Sequence, residues 1–213
     1  MGRRLKFDIP GADWRRDLKE IADQSPADIF GIAGRPDLVV EVGFGRGEFL
    51  MASAIEQPWR CFLGIDLSYK RVLKMARRLS RTEVTNIRLV EARAENVIRD
   101  GLSAAGVSEF WVNFPDPWPK ARHAERRFFR SATVARLCDR LRPSGRLFAA
   151  TDDVLYAEQI HAVLDGEPAL SNACPRAWLD EVPGRMQTAY EREWRAEGRP
   201  MHFFEYRKPE NDS

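Results

Sequence analysis

The chain contains the sequence Leu38-Val39-Val40-Glu41-Val42-Gly43-Phe44-Gly45-Arg46-Gly47. Its first half is apolar and rich in β-branched residues, which predicts a short buried strand. The three glycines that follow predict a tight turn, because glycine accepts positive φ angles and lets the backbone approach a ligand closely. A helix is predicted over residues 49–56, directly after this turn.

The same alternation of strand and helix continues toward the C-terminus. Five strand–helix alternations are typical of an α/β protein, and crossovers between parallel strands are right-handed. The sequence therefore predicts a Rossmann-like, doubly wound, mostly parallel sheet with helices on both faces. An antiparallel C-terminal strand is predicted at 201–206, paired as a hairpin with the residues before it. Further strands are predicted at 61–65, 87–90, 109–114 and 147–150, and further helices at 72–79, 128–141 and 155–164.

Length and composition fit one globular domain. The chain has 213 residues, of which 44% are hydrophobic and 31% charged, so a wholly disordered chain is excluded. Residues 1–36 are predicted to be an N-terminal extension with one helix near 13–23. Residues 37–208 are predicted to form the domain, and residues 209–213 a polar tail.

Several classes of protein are not expected. No apolar run approaches the roughly 20 residues of a membrane helix, and no apolar segment follows the basic N-terminus as in a signal peptide. Cys61, Cys138 and Cys174 form no CxxC pair, so neither a metal site nor a disulfide framework is indicated, and a reduced cytoplasm is expected. The net charge of +2, taken alone, argues against nucleic-acid binding, which usually shows a strong basic excess.

Carboxylates flank the glycine turn. Glu41 precedes it, and Asp66 ends the second predicted strand about 20 residues further on, where an acid can bind both ribose hydroxyls of a nucleotide. Glu41 would repel a phosphate and attract an ammonium group, which favours S-adenosylmethionine over a dinucleotide. Two alternatives stay open: the glycines form only a tight turn, or Glu41 only braces the loop.

A proline-rich segment follows the fourth predicted strand and reads Asn113-Phe114-Pro115-Asp116-Pro117-Trp118-Pro119-Lys120. Each proline fixes φ, so the loop is expected to hold a carboxylate, an indole and an ammonium close together. Positions 120–130 then contain five Lys or Arg residues and one histidine against a single acid. Such a cluster is expected to bind backbone phosphates, and the alternative is a proline-rich turn before a solvated helix.

A second basic cluster lies on the predicted helix after Asp66. It is either a solvated helix face or a further phosphate-binding surface, and the sequence does not separate the two. Its members, with no acid among them, are Lys70, Arg71, Lys74, Arg77, Arg78 and Arg81.

The segments 41–47 and 114–127, together with Thr151-Asp152, Tyr156-Ala157 and Thr188-Ala189-Tyr190-Glu191, resemble the bacterial tRNA (guanine-N7-)-methyltransferases. The similarity extends over residues 38–206, and the proline-rich string is its most specific part. The resemblance implies a class I methyltransferase domain that uses S-adenosylmethionine. It also implies methyl transfer to N7 of a guanine in the tRNA variable loop.

The resemblance further implies roles for single residues. Asp116 takes the catalytic position, close to the cofactor. Cofactor-binding positions are expected at Glu41, Gly43, Gly45, Gly47, Asp66, Arg93, Ala94, Asn113 and Asp116. Substrate-binding positions are expected at Lys120, Asp152, Thr188 and Glu191. RNA-contacting positions are expected at Arg122, His123, Arg126 and Arg127.

The chain departs from the family pattern at three places. Arg93 stands where the family usually has Asp or Asn, and a guanidinium cannot accept a hydrogen bond. Ala189 and Tyr190 replace the usual Lys and Phe, and Asp153 stands where an aromatic residue is common. At Arg93 the cofactor adenine is expected to meet the backbone or Glu95 instead, and one phosphate or base contact at residues 189–190 is expected to be absent.

Guanine N7 carries an in-plane lone pair and no proton, so its methylation needs alignment and charge stabilisation rather than a base. Asp116 is the expected stabiliser, and either Asp116 or Asp152 could hold the N1–H and N2–H edge of guanine. Two alternative functions stay open: a methyltransferase for another RNA base or a small amine, and a non-catalytic RNA-binding subunit. The expected partner is tRNA, for a cytoplasmic monomer or homodimer with no membrane contact, no metal and no obligatory protein partner.

Overall fold

The computed structural model describes residues 11–22 and 24–210. The expectations for the first ten residues and for residues 211–213 of the polar tail lie outside the described part of the chain. Within that part, no helix is long and apolar enough to cross a membrane.

Among the residues that the structure describes, eight strands form one sheet, in the spatial order β1-β4-β3-β2-β5-β6-β8-β7. The neighbours from β1 to β6 pair in parallel, whereas β8 is antiparallel to both β6 and β7. The predicted mostly parallel sheet with an antiparallel C-terminal strand is therefore confirmed. The strands are β1 (Arg15–Arg16), β2 (Leu38–Val42), β3 (Cys61–Asp66), β4 (Ile87–Glu91), β5 (Val107–Asn113), β6 (Leu141–Thr151), β7 (Ser171–Asn172) and β8 (His202–Arg207).

Helices cover both faces of the sheet, as predicted. Residues of α3 and α4 share one buried apolar cluster, and residues of α6 and α7 share another on the opposite face. The α-helices are α1 (Leu18–Ile21), α2 (Pro26–Phe30), α3 (Glu48–Glu56), α4 (Tyr69–Leu79), α5 (Ala94–Asn96), α6 (Ser131–Arg140), α7 (Val154–Asp165) and α8 (Ala189–Ala196).

The central strand β2 is buried along its whole length because both of its faces are covered. Leu38 and Val40 belong to the cluster with α6 and α7, whereas Val39 belongs to the cluster with α3 and α4. From β2 the chain builds the sheet outward through β3 and β4, then returns to add β5 on the other side of β2. Ligands of such sheets bind at this switch point, beyond the carboxyl ends of the strands.

Two predictions near the C-terminal half are wrong. Residues before β8 form helix α8 instead of a hairpin strand, and β8 pairs with β6 and β7. The helix predicted over 128–141 begins only at Ser131, because Arg130 before it is extended, and Leu141 already starts β6. The buried residues of α6 are Thr133, Val134, Leu137 and Cys138.

The described part of the N-terminal extension belongs to the same sheet. The helix expected near 13–23 is replaced by β1, which pairs with β4, and by the short α1. The Trp14 indole N–H donates to the Val84 carbonyl at 2.9 Å, and Ile21 is fully buried in the core. These contacts fasten the segment to the edge of the sheet, and the domain boundary at residue 36 stays a prediction.

Candidate active site

The glycine turn after β2 has the backbone that its sequence predicts. Gly43, Gly45 and Gly47 have φ angles of 72°, 56° and 70°, in the left-handed region that favours glycine. A Cβ on Gly47 would also lie 2.5 Å from the sulfur of Met75 in α4. The turn therefore brings backbone close to the open space beyond the strands, and the residue type is required for that approach.

Asp66 braces this turn from the end of β3. Its Oδ2 accepts the Gly45 N–H at 3.1 Å, and its Oδ1 accepts the Ser68 N–H at 2.8 Å. Arg71 lies 3.5 Å from Oδ2. The side chain is only 4% exposed, yet Asp66 lines the larger of two cavities at the strand ends. Its predicted ribose contact stays a prediction.

Glu41 is a buried carboxylate with an unfilled hydrogen-bonding position. Its Oε1 accepts from Asn113 Nδ2 at 3.2 Å, whereas Oε2 has no partner within the described part of the chain. Burial raises the pKa of Glu41 to about 7, although Asn113 and the Arg185 guanidinium oppose the rise. A buried carboxylate oxygen without a partner is costly, so the position fits a cationic ligand group such as an ammonium.

Asn113 is oriented by a residue that the sequence analysis missed. Arg185 donates from Nη2 to Asn113 Oδ1 at 2.7 Å, and from Nη1 to the buried Glu191. Arg195 also donates to Glu191, at 3.2 Å. Arg185 lies in an irregular segment between β7 and α8, where no spacing or motif distinguishes it. Its role is visible only once the chain is folded.

Two cavities of about 320 and 720 Å³ meet at the end of β2 and share Gly43, Arg71 and Asp116. The smaller one is further lined by residues that include Glu41, Asn113, Phe114, Thr188 and Tyr190. The larger one is further lined by residues that include Asp66, Arg93, Ala94, Glu95, Trp118 and Arg126. Asp116 is exposed and lies between the smaller cavity, which Glu41 lines, and the larger cavity, which Asp66 lines.

The proline-rich loop is held in a strained shape. Phe114 and Trp118 have φ angles of 52° and 42°, which bulky residues rarely adopt and which cost about 1–3 kcal/mol each. Arg127 compensates by donating to the carbonyls of Pro117 at 2.8 Å and Trp118 at 3.2 Å, and to the Gln159 side chain. The strain and this arginine together place Asp116 at the shared wall.

The residues predicted to contact RNA fall into two groups. Lys120, Arg122 and Arg126 are exposed, and the Arg126 guanidinium lies 4.9 Å from the Trp118 ring centre. His123 is half-buried with its ring edge-on to Trp118 at 5.7 Å. Arg127 instead points inward to the loop carbonyls, so its guanidinium is occupied by the protein.

Of the four residues predicted to bind substrate, only Thr188 lines either cavity. Thr188 lines the smaller cavity and caps α8, where its Oγ1 accepts the Glu191 N–H at 3.1 Å. Glu191 is 2% exposed and paired with arginines, and Asp152 is paired with Arg199 at 2.9 Å. Lys120 lies in the loop and lines neither cavity.

Tyr190 is a residue of the smaller cavity to which the sequence assigned no contact. Its ring centre lies 5.1 Å from that of Phe114. Burial raises its pKa, and the Asp152 charge adds to the rise. Its only sequence signal was that it replaces the usual family residue. No group of side chains able to hold a metal ion occurs among residues 11–22 and 24–210.

The architecture is that of known methyltransferases. The crystal structure of the 16S rRNA methyltransferase KamB matches with a TM-score of 0.62 at 17% identity, covering 87% of this chain and 94% of that one. The antibiotic-resistance methyltransferase Kmr matches with a TM-score of 0.58 at 19% identity, covering 89% and 95%. A family model described as "Putative methyltransferase" matches residues 35–204. The protein is a Rossmann-like class I methyltransferase.

Similar sequences indicate which family of methyltransferases the chain belongs to. A protein of Leifsonia xyli named tRNA (guanine-N(7)-)-methyltransferase is 40% identical over 169 residues, 79% of this chain and 74% of that protein. A protein of the same name from Syntrophotalea carbinolica is 32% identical over 192 residues, 90% and 83%. The chain belongs to the tRNA (guanine-N7-)-methyltransferase family.

Proposed function

We propose that the protein transfers a methyl group from S-adenosylmethionine to N7 of a guanine in the variable loop of tRNA, giving 7-methylguanosine. The observation that carries this proposal is the position of Asp116. It is an exposed carboxylate on a rigid loop at the wall between the two cavities, in a chain of this family. The proposed enzyme acts in the cytoplasm and needs no protein partner.

S-adenosylmethionine, when bound, supplies an electrophilic methyl group on a sulfonium. The residues around the glycine turn fit it. Glu41 offers the unfilled Oε2 to the ammonium of its amino-acid part. Asp66 offers a carboxylate to the ribose, and Arg93 and Ala94 line the same larger cavity. The positive φ angles of the turn allow its backbone to approach the ligand.

Guanine would enter the smaller cavity, where Phe114 and Tyr190 offer aromatic surface beside Asp116. N7 needs no deprotonation, so Asp116 acts by charge: it favours the positive charge that develops on the purine during transfer. The proline-rich loop pre-orients this carboxylate, which lowers the cost of alignment. Thr188 borders the same cavity and is the predicted substrate residue best placed for a contact.

Backbone phosphates of the RNA would meet the exposed cations of the loop. Lys120, Arg122 and Arg126 are exposed, and Arg126 lines the larger cavity. A small amine substrate would need none of them. The proposal therefore favours a polynucleotide substrate over the small-molecule alternative.

One assay tests the reaction. The purified protein is incubated with unmodified tRNA transcripts and S-adenosylmethionine carrying a labelled methyl group, and the tRNA is digested to nucleosides. Label in 7-methylguanosine is expected, and it should disappear when the variable-loop guanine is replaced by adenine. Label in another nucleoside would assign a different RNA base, and no label would favour the non-catalytic binding subunit.

A further inference from the structure

Helix α4 carries an unusual concentration of one sign of charge. Lys70, Lys74 and Arg77 lie along it at intervals of four and three residues, and Arg81 follows four residues later. These intervals place Lys70, Lys74 and Arg77 in one line on α4, and Arg81 lies in the turn that follows the helix. Arg71 and Arg78 lie beside the line, and residues 69–82 contain no Asp or Glu. We call these six cations the α4 basic row.

The row faces solvent. Its six residues are all exposed, because Val72, Met75 and Leu79 bury the opposite side of α4 against the sheet. Arg71 pairs with Asp66, and the other five form no ion pair or side-chain hydrogen bond within the described part of the chain. Like charges four residues apart destabilise a helix, so this arrangement has a cost in the unbound protein.

The row begins at the active site. α4 follows Asp66 directly, and Arg71 lines both cavities. Arg126 of the proline-rich loop lines the larger cavity together with Arg71. From Lys70 to Arg78 the row extends about 12 Å along α4, at a rise of about 1.5 Å per residue, and Arg81 follows in the turn after the helix. Cations from both α4 and the segment after the proline-rich loop thus line this cavity, and further cations continue along α4.

We propose that the α4 basic row binds the phosphate backbone of the tRNA substrate and extends the RNA surface beyond the proline-rich loop. The inference rests on the proposed function. A nucleic-acid duplex presents phosphates every few ångströms, so a row of this length contacts several of them. Such contacts fix the register of the RNA and carry no sequence information.

A charge-neutral triple variant tests the row. Lys74→Gln/Arg77→Gln/Arg81→Gln removes three exposed, unpaired charges that line none of the cavities described above. The control is Arg136→Gln/Arg176→Gln/Arg207→Gln, which removes the same charge from exposed positions on α6, a loop and β8, where Arg176 pairs with Asp180 and Arg207 with Glu205. The dissociation constant of unmodified tRNA is measured by filter binding from 50 to 300 mM KCl. The melting temperature and the S-adenosylmethionine affinity of each variant are measured as controls for folding.

We expect the triple variant to bind tRNA about tenfold more weakly than the control. The slope of log affinity against log salt should fall by about two, since each lost phosphate contact removes about 0.7–0.9. S-adenosylmethionine affinity should stay within about twofold. A charge reversal, Lys74→Glu/Arg77→Glu, should weaken binding further.

Equal tRNA affinity and equal salt slope in the triple variant and its control would overturn the inference. The α4 basic row would then be a solvated surface or a binding surface for an acidic protein. Equal loss of S-adenosylmethionine affinity would also overturn it, as a folding effect. The binding measurement needs no methyl transfer. A wild-type protein that forms no 7-methylguanosine would therefore refute the proposed function, whereas tRNA binding by the α4 basic row would still be decided by the binding measurement.

Discussion

The Arg185 guanidinium donates from Nη2 to the Asn113 side-chain oxygen at 2.7 Å. Because a guanidinium has only donors, this bond leaves the Asn113 amide group facing Glu41, to which it donates at 3.2 Å. Arg185 also pairs with Glu191 of α8, the helix that brings Tyr190 to the smaller cavity. The carboxylate proposed for the cofactor and the helix proposed for the substrate are thus joined by one buried chain of hydrogen bonds.

Arg185→Met should weaken S-adenosylmethionine binding about tenfold at pH 7. The variant removes a cation that lowers the pKa of Glu41, so more of Glu41 is protonated and fewer ammonium contacts form. Asp66, which raises the pKa of Glu41, stays in place. Affinities measured by calorimetry between pH 6 and 9 should show the same pH dependence in the variant as in the wild type, but shifted to higher pH. An affinity lowered equally at every pH would mean that Arg185 is only structural.

Glu41→Gln should abolish cofactor binding yet stabilise the unliganded protein at pH 8. Burial raises the pKa of Glu41 from 4.5 to about 7, so the folded state binds more protons than the unfolded state between these values. Stability is therefore lost as pH rises through this window. The gain at pH 8 should reach about 3 kcal/mol, at 1.36 kcal/mol per pKa unit. Urea denaturation of both proteins at pH 5 and 8 checks this, and parallel pH dependences would contradict it.

Asp116→Asn should lower kcat about 100-fold or more, the usual effect of removing one charge-stabilising group. The side chain is exposed, so folding should be unaffected. Glu158→Gln, an exposed carboxylate on α7, is the matched control. Single-turnover methyl transfer and S-adenosylmethionine affinity are the measurements. Near-normal turnover in Asp116→Ala with unchanged cofactor affinity would remove Asp116 from the mechanism.

Arg126 and Arg127 are neighbours in sequence but should respond differently to substitution by Gln. Arg126→Gln should raise the dissociation constant of tRNA and leave the melting temperature unchanged, because Arg126 is exposed. Arg127→Gln should cost about 1–3 kcal/mol of stability, since the loop carbonyls lose a charged donor. Filter binding and thermal melting of the two variants provide the comparison. Indistinguishable behaviour of the pair would contradict the loop geometry.

Local sequence determined strands β2 to β6 and β8, the glycine turn and the family, but not the two-residue strands β1 and β7. A run such as 38–42 is buried on both faces wherever it lies in a parallel sheet, and three glycines accept the φ angles that the turn imposes. The proline-rich string identifies its loop by residue type alone. These features depend on residues close together in the chain, so spacing predicts them.

Tertiary structure alone decided which polar groups meet. Arg185 and Asn113 are 72 residues apart, and nothing in either neighbourhood predicts their bond. Arg127 belongs to the basic run by sequence, but its guanidinium turns inward because the strained loop leaves carbonyls that need donors. Glu191, predicted to bind substrate, instead forms a buried ion pair with Arg185. Burial and pairing depend on what the fold places opposite each side chain, and that is set by long-range packing.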